Sequence, residues 1–156
     1  KNGKSLAAKT RMQFLDLDAV ITESAGLSVN EIFAQYGENY FREMESALLK
    51  NTASVEHAII ACGGGTPCYF DNMDWILANG KSIYLTAPEE ILFGRLREKK
   101  EKRPLLRNMD DDALRQYIAT KLAVRLPFYL RANAIVDTSL PDKEEKLFKL
   151  ITEWEY

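Results

Sequence analysis

Ala58-Ile59-Ile60-Ala61-Cys62-Gly63-Gly64-Gly65 is the stretch that decides the fold. Five apolar residues without polar alternation predict a strand buried on both faces of a parallel sheet, with Cys62 in the core. Three glycines directly behind it let backbone approach a ligand closely and permit positive φ. A turn that needs only flexibility is the plainer reading of the same glycines. In parallel sheets, ligands bind beyond the carboxyl ends of the strands, which is where this loop falls.

Helical and strand patterns alternate outward from that point. Upstream, Ser5–Arg11 is helical in composition, Gln13–Asp16 reads as a short strand and Asp18–Ala25 as a helix stopped by Gly26. Ser28 and Glu31 form the S-x-x-E capping box of a helix that breaks at Gly37, and Glu38–Asn51 resumes as another. Downstream, Asp71–Ala78 is helical with Gly80 at its end, and Lys81–Thr86 is a strand. Pro88 opens a helix reaching about Lys100, and Asp111 to about Arg131 is a long helix that Pro127 must kink or restart. Ala134–Asp137 is the last strand, and Asp142–Trp154 an amphipathic closing helix. Strands separated by helices imply βαβ architecture.

A chain of 156 residues is most simply one domain. With 21 Lys+Arg against 23 Asp+Glu, the net charge of −2 supplies no general field for nucleic acid or an anionic membrane, so any phosphate site must be local. No apolar run approaches the roughly 18 residues of a membrane span, and no secretory leader is visible, which points to the cytoplasm. Two cysteines, Cys62 and Cys68, are too few for a disulfide scaffold, and their C-x5-C spacing is not a usual zinc spacing.

Phe14-Leu15-Asp16-Leu17-Asp18 places two carboxylates at the carboxyl end of a strand. If the strand continues, alternation sends Asp16 and Asp18 the same way, one toward a metal and the other toward a substrate hydroxyl. Helix N-capping is the competing role for either aspartate. Arg42 has the fork for a substrate carboxylate, against an exposed intrahelical pair with Glu45 or Glu38. Arg103-Pro104-Leu105-Leu106-Arg107 follows a basic run and suits either solvated charge or a mobile lid supplying transition-state charge. Arg95 and Arg97 read as the wet face of their helix, Arg125 sits where the long helix breaks, and His57 is a surface residue. Lys1-Asn2-Gly3-Lys4-Ser5 is the back half of the phosphate-binding pattern G-x-x-x-x-G-K-[ST].

In order, Gly3-Lys4-Ser5, FLDLD, the EIF…GE…FR stretch at Glu31–Arg42, GGG, RPLL and R-x-P-x-Y at Arg125–Tyr129 resemble shikimate kinase, a P-loop kinase of the nucleoside monophosphate kinase type. The triple glycine with FR and D-x-D separates the set from gluconate and adenylate kinases. The resemblance implies a three-layer αβα sandwich around a mostly parallel five-stranded sheet. It also implies a mobile lid near 99–112, substrate-binding helices near 18–51, and a monomer. It implies ATP- and magnesium-dependent phosphorylation of the shikimate 3-hydroxyl, toward chorismate and the aromatic amino acids.

Carried over residue by residue, Gly3, Lys4 and Ser5 bind the nucleotide phosphates, with Lys4 on the β- and γ-phosphates. Ser5 and Asp16 hold magnesium. Asp18 holds the attacking hydroxyl and accepts its proton. Arg42 and Arg125 clamp the shikimate carboxylate, Gly63, Gly64 and Gly65 line the ring, Arg103 is the lid arginine, and Arg95 lies beside the adenine, with Pro141 near it. The family register places a strand and its first glycine ahead of Lys1 and about five further residues after Ser5. A helix of about eight residues advances only ~12 Å, against ~17–20 Å for a usual strand. Another small-molecule kinase of the same fold, or a nucleotide-binding module without turnover, are the alternatives.

Overall fold

The computed structural model describes residues 2–103 and 105–154; Lys1 and Pro104 of the quoted motifs lie outside the described residues. Among these residues, seven α-helices and four strands follow one another: α1 (Asn2–Thr10), β1 (Gln13–Asp16), α2 (Leu17–Ala25), α3 (Val29–Asn51), β2 (Ala58–Ala61), α4 (Asn72–Asn79), β3 (Ile83–Thr86), α5 (Glu89–Arg97), α6 (Asp111–Tyr129), β4 (Ala134–Asp137) and α7 (Lys143–Trp154). No helix is long and apolar enough to cross a membrane among these residues. The strands pair in parallel, β1 with β2 from Gln13↔Ala58 to Asp16↔Ala61, and β3 with β4 from Ile83↔Ala134 to Thr86↔Asp137. Each pair is joined through helices, as parallel strands require. The fifth strand of the expected sheet has no counterpart among the described residues.

The molecule divides into two compact units, Lys1–Ser82 with Glu144–Tyr156, and Ile83–Lys143. In the first, Leu17, Ile21, Ile32, Phe41 and Leu49 form the buried core, with Trp75 and Ile76 of α4 packed against it. Helix α2 starts because the Asp16 carboxylate caps it, accepting from the backbone N–H of Asp18 and Ala19, and it ends on Gly26 at φ 66°. The Ser28–Glu31 capping box opens α3 with both reciprocal bonds present. Gly37, at φ 81° and ψ 174°, breaks α3 in two, a backbone geometry open essentially to glycine alone.

The second unit packs Phe93 of α5 against Leu114 and Ile118 of α6 and against Leu106. Asp110 caps α6 through the Ala113 N–H. The helix runs through Pro127 to Tyr129 as one element, so it does not restart there. A proline near a helix end interrupts only the bond to a carbonyl one turn back, which the remaining turn tolerates.

Three further expectations change. Strand β2 is half-buried along its whole length rather than fully buried, since its single partner among the described residues is β1. Cys62 is exposed, not a core residue. Helix α1 begins at Asn2, three residues before the expected start, so Gly3, Lys4 and Ser5 are helical.

Candidate active site

The carboxyl ends of β1 and β2 and the second half of α3 gather one cluster. Past the break at Gly37, Glu38, Arg42 and Glu45 stand at i, i+4 and i+7 on one helix face. Arg42 Nη1 donates to Glu45 Oε1 at 2.9 Å, and its Nε and Nη2 each lie 3.3 Å from Glu38 Oε1. The sequence suggested an exposed pair; the partners are as expected, but Arg42 is 8% exposed and Glu45 1%. Burial works against the Arg42 charge, and the Glu45 carboxylate, followed by Tyr69 and Glu38, outweighs it, holding the guanidinium above its ordinary range.

The glycine loop is built around this arginine. A Cβ on Gly65 would fall 2.6 Å from Arg42 Nη2, so residue 65 is glycine because a guanidinium lies against it. None of Gly63, Gly64 and Gly65 uses positive φ; among the described glycines only Gly26 and Gly37 do. Close approach, not left-handed backbone, therefore explains the loop. A Cβ on Gly63 would face Thr66 Oγ1 at 3.4 Å, Asp18 Oδ1 at 3.6 Å and Glu45 Oε2 at 3.7 Å, which puts Asp18 on the floor of the same cluster.

A buried network fixes the loop. Thr66, fully buried, donates to Glu45 Oε2 at 2.8 Å; Asn72, also fully buried, donates to the Thr66 carbonyl at 2.8 Å and accepts from Ser46 at 2.6 Å. Each polar group has its partner, so the loop is held rigidly at little net cost. Past the Thr66–Cys68 turn, the Tyr69 ring centroid lies 4.3 Å from Arg42 Cζ, and the Tyr69 hydroxyl donates to Glu38 Oε1 at 2.9 Å. Burial and the Glu38 bond hold the Tyr69 phenol above its ordinary range. Cys62 sits at the same strand end, where a dense protein surround and then Glu45, Asp18 and Asp16 push its thiol up to about 12.

The sequence does not mark Glu45, Thr66, Asn72 or Tyr69 as site residues. Only the i, i+3 spacing of Arg42 and Glu45 pointed toward one of them. Asp16 and Asp18 do not alternate along a strand, because β1 ends at Asp16 and Leu17 is already helical. Asp16 is the cap and Asp18 sits in the first turn.

Lys4 and Ser5 are exposed on α1, and Gly3 packs inward, where a Cβ would fall 2.8 Å from Phe14 Cε2. Among the described residues, no three His, Cys, Asp or Glu side chains are grouped to hold a metal ion. An exposed serine hydroxyl and one carboxylate nonetheless suit magnesium, which keeps several waters and takes one or two protein oxygens beside substrate phosphates.

In the second unit, Arg95 donates to Thr138 Oγ1 at 2.9 Å and to the Thr138 carbonyl at 3.2 Å, which ties α5 to the loop after β4. Arg103 is exposed directly after the Lys100–Lys102 turn. That segment is anchored by Leu106, 2% exposed, and by Lys100 Nζ donating to the Met109 carbonyl at 2.8 Å. Arg125 is half-buried on α6.

An α/β fold that gathers a caged arginine, an aspartate and a glycine loop beyond parallel strand ends is that of a small-molecule-binding α/β enzyme. The model of the shikimate kinase family matches residues 1–155. The chain is 41% identical to the shikimate kinase of Bacteroides thetaiotaomicron over 133 residues, covering 85% of this chain and 76% of that one. It is 40% identical to that of Flavobacterium johnsoniae over 148 residues, covering 89% and 86%. The solved shikimate kinase of Bacteroides thetaiotaomicron superposes with a TM-score of 0.88 at 36% identity, over 98% of this chain and 89% of that one. The Acinetobacter baumannii shikimate kinase, solved in complex with shikimate, superposes at 0.84 and 27% identity, over 98% and 84%. The chain belongs to the shikimate kinase family, and it is an ATP-dependent kinase, a transferase of aromatic amino acid biosynthesis.

Proposed function

We propose that this chain transfers the γ-phosphoryl group of ATP to the 3-hydroxyl of shikimate, as a cytoplasmic monomer. The observation that carries the reading is the caged arginine, a buried guanidinium against Gly65 with Asp18 facing the same loop through Gly63. A small polyhydroxy acid needs a fork for its carboxylate and an acceptor for its hydroxyl proton, and the cluster offers both.

Asp18 holds the 3-hydroxyl and takes its proton as the oxygen–phosphorus bond forms and the bond from γ-phosphorus to the bridging oxygen of ADP breaks. Arg42 and Arg125 bind the carboxylate, and Gly63, Gly64 and Gly65 admit the ring. Lys4 and Arg103 place positive charge on the phosphates, Gly3 and Ser5 adjoin them, and Arg95 adjoins the adenine. Ser5 and Asp16 would hold magnesium, which supplies charge neutralisation at the phosphates when bound. Phosphoryl transfer asks mainly for such positioning and charge stabilisation.

A coupled ADP-release assay on the full-length protein, with shikimate, gluconate and a nucleoside monophosphate as acceptors, tests the reading. Turnover confined to shikimate, and lost in Lys4→Ala and Arg42→Ala, is the expected result. Turnover only with gluconate or a nucleotide overturns it.

A further inference from the structure

Glu38 Oε1 receives three donors. Two come from Arg42, both long at 3.3 Å, and one from the Tyr69 hydroxyl at 2.9 Å. The same tyrosine lays its ring over the Arg42 guanidinium, 4.3 Å from Cζ to centroid. Glu45 is the tighter partner on the opposite edge, with Nη1 to Oε1 at 2.9 Å. Arg42 is therefore held firmly by one carboxylate and loosely by the other, and the loosely bound Nε–Nη2 edge is the bidentate one.

From this geometry we infer that Tyr69 is a positioning residue for acceptor recognition, holding Glu38 so that the Nε–Nη2 edge of Arg42 can be handed to a substrate carboxylate. The inference rests on the acceptor site proposed above and adds to it how that arginine is released. A carboxylate arriving at Arg42 must displace Glu38. If Glu38 lost its donors with nothing in exchange, the displacement would cost the bond it gives up. The Tyr69 hydroxyl already satisfies Glu38 Oε1, so Glu38 keeps its strongest bond when Arg42 leaves. The ring meanwhile keeps the guanidinium plane in place by stacking, which is indifferent to which carboxylate lies at the edge.

Tyr69 is held for this purpose. Its backbone carbonyl accepts from the Asn72 N–H at 3.2 Å, and the Gly65 carbonyl accepts from the Cys68 N–H at 3.0 Å, closing the turn that precedes it. The fully buried Asn72 side chain ties that turn to Ser46 of α3, the helix that carries Arg42 and Glu38. Loop and helix are thus one local framework, with Tyr69 on one side of the guanidinium and Gly65 against it.

Tyr69→Phe keeps the ring and removes the hydroxyl, so Glu38 loses that donor and competes harder for Arg42. With shikimate as acceptor, KM is expected to rise about tenfold, the scale of a hydrogen bond to a charged group, while kcat holds within about twofold. With shikimate methyl ester, whose neutral carboxyl group offers Arg42 no charge, the Tyr69→Phe and wild-type KM values should agree within about twofold. Tyr36→Phe, at an exposed tyrosine stacked on Tyr40, serves as the control. Equal KM on the free acid, a loss confined to kcat, or the same loss on acid and ester would each overturn the inference. Calorimetric titration of wild-type protein with shikimate separates the two proposals. Absence of wild-type binding removes the acceptor reading and this inference with it, whereas binding that Tyr69→Phe leaves unchanged removes the inference alone.

Discussion

Gly65 and Arg42 occupy one space, for a Cβ at residue 65 would stand 2.6 Å from Nη2 and 2.8 Å from Cζ. The guanidinium is the end of a flexible side chain, yet Glu45 and Glu38 pin it, so a methyl group there must push it off its partners. Gly65→Ala is expected to raise the acceptor KM about tenfold or more and to lower stability by about 1–3 kcal/mol, according to how far the buried pair with Glu45 is disturbed. Steady-state kinetics beside a melting curve check both halves, and an unchanged KM contradicts the packing described.

Glu45 is the counter-charge that lets Arg42 be buried. Removing one member of a buried pair strands the other, at a cost of about 3 kcal/mol. Glu45→Ala should lower the urea midpoint accordingly, with Thr66 losing its acceptor as well. A loss below about 0.5 kcal/mol would mean the pair is exposed in solution.

Gly37→Ala sets two effects against each other. Alanine gains about 1 kcal/mol of helix propensity over glycine. A non-glycine residue held at φ 81°, ψ 174° costs about 1–3 kcal/mol. The break aims the second half of α3 at the glycine loop, so it should persist, and the variant should be less stable with weaker acceptor binding. A variant that is more stable and binds shikimate as wild type contradicts this.

Cys62 is exposed, but its thiol is pushed from an ordinary 9.0 up to about 12. Iodoacetamide at pH 8 should label it at least about a hundredfold more slowly in native protein than in urea, since every rise of one in pKa leaves about tenfold less thiolate. The raised native value also sets the sign of its linkage. Its stabilisation is whole below the unfolded value near 9 and is lost as pH rises from there toward 12. Equal labelling rates in the native and unfolded states contradict the raised value.

Local signals carried most of the fold. The Ser28–Glu31 box, the Gly26 stop and the Gly37 break are written in adjacent residues and appear where expected. The order of strands and helices follows from periodicity, which needs no knowledge of partners. What failed depended on three-dimensional neighbours. β2 reads as buried on both faces, but burial is decided by what lies beside it. Asp16 and Asp18 would share a strand face only if the strand ran on, and the helix starts one residue earlier than composition suggests.

The site shows the same division. Arg42 with Glu38 and Glu45 is legible as helical spacing, whereas its burial comes from Tyr69 and Gly65, more than twenty residues away. The glycine loop was legible as functional for two reasons, positive φ and close approach, and only the second holds. Thr66 and Asn72 give no signal at all, because buried hydrogen-bonding residues look like ordinary loop or helix residues until their partners are seen.

In the proposed reaction the caged arginine serves a carboxylate-bearing acceptor phosphorylated at its 3-hydroxyl. Phosphorus NMR of the reaction of full-length protein with ATP, magnesium and shikimate reads that outcome at the phosphorus itself. A single new phosphomonoester, its phosphorus coupled to the proton on C3 and absent with Arg42→Ala at the same shikimate concentration, is the result expected. No phosphoester, a phosphoester on another hydroxyl, or one formed equally by Arg42→Ala would overturn that role for the arginine.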